Sequence, residues 1–116
     1  MKIRGIRGAT SVKNNAKEEI LSATKELLTE LIKSNSLTVE NIAAVIFTAT
    51  QDLDAEFPAV AARELGWNDT ALLCAKEIAV PGSLPKCIRV LILANLDISQ
   101  AEVKNVYLRE AVNLRR

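Results

Sequence analysis

The chain of 116 residues contains no histidine. That one absence excludes Ser-His and Cys-His nucleophiles and the commonest zinc ligand. Aromatic side chains are scarce too, with one Trp, one Tyr and two Phe, so any core must be aliphatic. The two cysteines, Cys74 and Cys87, show neither metal-site spacing nor the pattern of a secreted disulfide framework, and they read as free thiols in a reducing, cytoplasmic compartment. No glycine-rich phosphate loop occurs, and the apolar runs fall far short of a membrane span. Fifteen basic residues balance fourteen acidic ones for a formal charge of +1, without a basic run interleaved with aromatics. Nucleic acid and membrane are therefore poor partners. What remains is chemistry by arginine, carboxylate, thiol and phenol, which points to positioning and electrostatics with no cofactor or metal. The length fits one domain over residues 1–116.

The most informative stretch is Lys86-Cys87-Ile88-Arg89-Val90-Leu91-Ile92-Leu93-Ala94, an aliphatic run predicted as a strand after the turn Pro81-Gly82-Ser83-Leu84-Pro85. Alternation places Cys87, Arg89, Leu91 and Leu93 on one face and Ile88, Val90 and Ile92 on the other. Both faces are apolar apart from Arg89. A buried guanidinium needs a partner, so Arg89 calls for a nearby carboxylate or an anionic ligand, unless it lies at an edge and its head reaches water.

The rest of the chain alternates between strand and helix patterns. Lys2 to Thr10 suits a first strand, with Ile3, Gly5 and Arg7 on one face, and Arg7 is either a solvated charge or a ligand to an anion. Asn15 and Glu18 resemble a capping box before an amphipathic helix over about 16–34. Thr38 is expected to cap a short turn, and Ala43 to Ala49 to form an interior strand. Pro58 suits the start of a helix that stops at Gly66. Phe57 before it is a hydrophobic staple or a pocket wall, and Arg63 on it a surface charge or a pocket-mouth cation. Leu72 to Val80 is predicted as a further strand, with Cys74 beside Leu72 and Lys76. Paired as a long-loop hairpin with residues 86–94, it would bring Glu77 toward Arg89. A short helix capped at Ser99 follows, and Val106 to Leu114, with Tyr107, is open between helix and strand.

Four segments together resemble the small trimeric chorismate mutases of bacteria. They are Ile3-Arg4-Gly5-Ile6-Arg7-Gly8-Ala9-Thr10, Phe57-Pro58-Ala59 with Arg63, Cys87-Ile88-Arg89-Val90, and Val106-Tyr107-Leu108-Arg109. The resemblance implies an α+β fold: a mixed β-sheet packed against one long helix and short helices, with sheets assembling into a pseudo-α/β-barrel homotrimer. It also implies active sites between subunits and favours a strand for Val106 to Asn113. The implied reaction is the rearrangement of chorismate to prephenate. By the same resemblance Arg89 faces the ether oxygen, Arg7 and Tyr107 hold the side-chain carboxylate, Glu77 accepts from the ring hydroxyl, and Cys74 sits beside it. Phe57, Leu114 and the stem of Arg115 wall the pocket, and Arg63 and Arg115 supply positive potential at its mouth.

The reaction is intramolecular and pericyclic, so a protein with no histidine, metal or cofactor can promote it by holding a compact conformer and stabilising charge on the ether oxygen. Two features depart from the family pattern. Val60 stands where relatives often carry a lysine, leaving Arg63 or Arg115 to meet the ring carboxylate, and relatives often continue past the position of Arg116 with a proline and a longer tail. Two other readings use the same residues: an imine deaminase on a similar trimer, and a trimer that binds a dianionic metabolite without turnover.

Overall fold

A computed structural model describes residues 1–114. Strand β1 is Lys2–Ser11, helix α1 Lys17–Ser34, β2 Ile42–Ala49, α2 Ala59–Glu64, β3 Ala71–Lys76, β4 Cys87–Leu96 and β5 Val106–Tyr107. Short 3₁₀ turns occupy Val39–Asn41, Gln100–Glu102 and Arg109–Asn113. The five strands form one mixed sheet in the order β3-β2-β4-β1-β5. The fold is α+β, as the sequence leads one to expect.

The alternation in β4 decides the layering. Ile88, Val90, Ile92 and Ala94 are buried, and with Ile6 of β1 and Val45 and Phe47 of β2 they meet Ile20, Leu27, Leu28 and Leu31 of α1. Those helical positions repeat at the three- and four-residue spacing that puts them on one stripe. Gly8 is needed where α1 crosses β1. A Cβ there would lie 2.8 Å from Leu31 Cδ1, 3.0 Å from Leu27 Cδ1 and 3.1 Å from the Val106 carbonyl oxygen. Among the described residues, the opposite face of the sheet has a helical cover only at one end. There Ala9 and Cys87 are buried under Ala111 of the last 3₁₀ turn, with Leu84, Tyr107 and Leu114 packed around them.

Several expectations are corrected. β3 pairs in parallel with β2, which separates it from β4, so residues 72–80 and 86–94 do not form a hairpin. A parallel pair needs a crossover, and α2 supplies it between β2 and β3. β3 ends at Lys76 rather than Val80, although the Glu77 N–H still bonds the Ala49 carbonyl at 2.9 Å. The strand expected over Val106 to Asn113 is two residues long and gives way to the 3₁₀ turn, because Arg109 turns into the left-handed region at φ 54°. Asn15 does not cap α1. Its amide bonds the backbone N–H groups of Asp54 and Ala55 and the Asp54 carboxylate, while Asn14 binds Glu19 at the helix start. Thr38 makes no side-chain cap either. At Ser99 the expected cap is present, as a reciprocal box with Glu102.

Candidate active site

The candidate residues on the open face fall into a row set by strand register. Arg89 of β4 lies opposite Thr48 of β2 on one side and Ala9 of β1 on the other, and Ala9 lies opposite Tyr107 of β5. With strands about 4.8 Å apart, side chains at one height on adjacent strands share a narrow strip of surface. Arg7 stands two residues from Ala9 on the same face of β1, and Glu77 follows the end of β3, next to β2. A cleft of about 440 Å³ opens along this row, and Arg7, Thr48, Arg89, Leu91, Tyr107 and Leu114 contribute to its lining. Arg4 also sits on β1, but its guanidinium Nε donates to the Ile98 carbonyl at 2.7 Å. It acts as a structural tie.

Glu77 answers the demand that Arg89 makes for a carboxylate. Arg89 Nε stands 3.6 Å from Glu77 Oε2, and the Thr48 hydroxyl donates to that same oxygen. Glu77 and Arg89 meet without a hairpin, because β2 pairs with both β3 and β4 and holds the two neighbours in register. Cys87 lies two residues before Arg89 on the same face. Burial pushes its thiol up, and the nearby Arg89 charge only partly opposes this. Cys87 therefore stays neutral and leaves the guanidinium charge to Glu77 and any anionic ligand.

The start of β4 is fixed by a second polar cluster. Lys86 has φ 48°, an unfavourable left-handed backbone for a residue with a Cβ, and its N–H is held by Asp52 at 3.2 and 3.0 Å to the two carboxylate oxygens. The Thr50 hydroxyl donates to Asp52 and accepts from the Cys87 N–H at 3.0 Å. Burial works to raise the Asp52 carboxyl, but the Thr50 hydroxyl and the Lys86 N–H outweigh it and hold the group below its ordinary range. The anchor lies three residues from Arg89 and sets where that side chain leaves the sheet.

The remaining candidates are elsewhere in the chain. Phe57, two-thirds exposed, lines a separate cavity of about 410 Å³ with Cys74, Leu53, Asp54, Pro58 and Lys76. This rules out Phe57 as a buried staple. Cys74 is on the helix side of the sheet, packed against the core, and not on the face of Arg89. Arg63 is exposed in the last turn of α2 and lines neither cavity. Arg115 lies outside the described residues. One chain thus lines a single cleft with Arg7, Arg89, Tyr107 and Leu114. It sets Glu77 at the edge of that cleft through Arg89 and Thr48, although Glu77 itself lines a neighbouring cavity with Thr50 and Asp52, and it keeps Phe57, Cys74 and Arg63 apart from them. Thr48 was not among the sequence candidates. Its signal was a hydroxyl inside an otherwise apolar strand.

Comparison with known proteins gives this geometry a family. The family model described as "Chorismate mutase type I" matches residues 3–116. The chain belongs to the chorismate mutase type I family. It is 53% identical over 114 residues to "Chorismate mutase AroH" of Thermus thermophilus, covering 97% of this chain and 93% of that protein. It is 46% identical over 116 residues to "Chorismate mutase AroH" of Bacillus subtilis, covering 99% and 91% respectively. A solved chorismate mutase from Clostridium thermocellum superposes with a TM-score of 0.91 at 51% identity, over 92% of this chain and 96% of that one.

Proposed function

We propose that the cleft around Arg89 is where this chain, a chorismate mutase, rearranges chorismate to prephenate for the synthesis of aromatic amino acids. The enzyme is an isomerase, and the family match over residues 3–116 carries that reading. The charge of the site fits the substrate. Two guanidiniums and a phenol line a cleft beside one carboxylate, an excess of positive charge suited to a dianion. In this reading Arg89 faces the ether oxygen with a rigid fork that can make paired hydrogen bonds, and Arg7 and Tyr107 hold the side-chain carboxylate. Glu77 accepts from the ring hydroxyl. The reaction then needs only a compact bound conformer and charge placed where the breaking C–O bond sends electrons.

The site is completed in a homotrimer. The separation of Phe57, Cys74 and Arg63 from the arginine cleft supports this, since a second copy can bring its Phe57 half against the Arg89 half of the first. The open sheet face is also unlike a solvent face. Ile3 and Leu73 on it are more than half exposed, and Leu91 and Leu93 beside them are only half-buried. Apolar area of this kind is stabilised by a partner. Leu114 walls the pocket, and Arg63 of a second copy supplies a cation at its mouth in place of the lysine that Val60 replaces. We place this single-domain enzyme in the cytoplasm. Its two unpaired thiols suit a reducing compartment, and no helix of the described residues is long and apolar enough to cross a membrane.

The test is the ultraviolet loss of chorismate with purified protein, prephenate being confirmed by acid conversion to phenylpyruvate, with Arg89→Ala alongside and the assembly sized in solution. Cofactor-free turnover by a trimer, lost in the variant, is the expected result. Turnover of an imino acid with none of chorismate would replace the mutase by a deaminase, and tight binding of chorismate without turnover would leave a binding protein.

A further inference from the structure

We infer that Thr48 is a positioning residue of the active site: its hydroxyl holds Glu77 Oε2, reserving the other carboxylate oxygen for the substrate hydroxyl and keeping Arg89 available for the ether oxygen. The inference rests on the roles proposed above for Glu77 and Arg89.

The geometry sets up a competition for one oxygen. Glu77 Oε2 faces Arg89 Nε at 3.6 Å, an ion-pair distance beyond the roughly 2.7–2.9 Å of a charge-assisted hydrogen bond. The Thr48 hydroxyl donates to that same oxygen. Thr48 lies directly opposite both Arg89 on β4 and Ala75 on β3, so it stands between the guanidinium and the segment carrying Glu77. Its backbone is locked on both sides by the ladder, and a β-branched side chain has few rotamers to choose from. The donor is therefore prepaid in conformational entropy. Glu77 is tied at its main chain as well, its N–H to the Ala49 carbonyl and its carbonyl to the Gln51 side-chain amide at 3.1 Å. Oε1 takes no hydrogen bond among the described residues. A hydroxyl from a ligand in the cleft is the natural donor to it.

Without the Thr48 hydroxyl, Oε2 is free to close on the guanidinium, and a carboxylate and an arginine this near favour a two-point pair. Both groups would then be turned toward each other and away from the ligand. Thr48 thus serves the reaction without touching the reacting atoms.

The experiment compares chorismate turnover by the full-length protein, Thr48→Val, Thr48→Ser, Glu77→Gln and the Thr48→Val/Glu77→Gln double variant, with urea unfolding of each. Thr48→Val keeps the shape of the side chain and suits a strand. It is expected to lose about ten- to hundredfold in kcat/KM, the range for one hydrogen bond to a charged group. Thr48→Ser should stay within about threefold of the parent, and Thr48→Val should add less than about threefold to the loss in Glu77→Gln, because the two act through one interaction. A merely structural role would lower the unfolding midpoint of Thr48→Val and leave no such coupling. Full activity in Thr48→Val beside a crippled Glu77→Gln overturns the inference and leaves the mutase assignment intact. Parental activity in Glu77→Gln overturns both the inference and the role given to Glu77.

Discussion

Replacing Arg89 should separate catalysis from stability more sharply than any other change in this protein. The side chain is half exposed in the single chain, and its partner Glu77 is reached at 3.6 Å, so the ion pair is of the partly exposed kind that contributes about 0–1 kcal/mol to folding. Arg89 contributes little to the packed layer either, because β4 turns Ile88 and Val90, not Arg89, toward α1. In the role proposed for it, by contrast, Arg89 supplies a full charge where the ether oxygen becomes negative. One oxyanion donor in a closed site contributes about 3–4 kcal/mol, and a charged fork should exceed that. A neutral, near-isosteric replacement of Arg89 is therefore expected to lower kcat more than a few hundredfold, while the urea midpoint moves by less than about 1 kcal/mol equivalent. Arg89→Lys keeps the charge but loses the paired donors, and it should also be poor. The assay is chorismate loss at saturating and limiting substrate, with unfolding followed by circular dichroism. Near-parental turnover of Arg89→Lys would refute the argument from the fork. A neutral variant that unfolds with inactivation would refute the claim that Arg89 is dispensable to the fold.

Three further outcomes test the framework. Gly8→Ala places a methyl against Leu31, Leu27 and the Val106 carbonyl, and should cost about 1–3 kcal/mol while shifting β5 and with it Tyr107; unchanged melting and unchanged KM would contradict that close approach. Thr10 has a fully buried hydroxyl with no hydrogen-bond partner among the described residues, so Thr10→Val should stabilise by about 1 kcal/mol or more and Thr10→Ala should destabilise; a loss of stability in Thr10→Val would show that the hydroxyl is bonded. Acid should weaken the fold: Glu19, bonded first by the Asn14 side chain, and Glu102, bonded first by the Ser99 N–H, are both held below their ordinary 4.5. The unfolded chain then takes up protons first, so their stabilising contribution is complete above that value and is lost as the pH falls through the folded one. Urea midpoints that stay flat from about pH 6 to about pH 3 would exclude this.

Local pattern alone determined much of this protein. The aliphatic run from Lys86 to Ala94 predicted a strand, observed as Cys87–Leu96, and which of its side chains share a face, and the three- and four-residue spacing of Leu27, Leu28 and Leu31 predicted α1 and its buried stripe. Both follow from periodicity, which is a property of adjacent residues. The missing histidine excluded whole classes of mechanism before any fold was known. The candidate residues Arg7, Glu77, Arg89 and Tyr107 were legible only jointly, through the family resemblance, since each charge or phenol by itself reads equally well as a surface group. Strand order was decided elsewhere. That β2 lies between β3 and β4 depends on contacts between residues far apart in sequence, which alternation cannot encode, and a one-residue change of register would have turned Thr48 to the other face. The hydroxyl that holds Glu77, the Asp52 anchor under Lys86 and the separation of Phe57 from Arg89 all arise from that order. They belong to the tertiary structure because hydrogen bonds and clefts are made by distance in space, and only the folded sheet sets those distances.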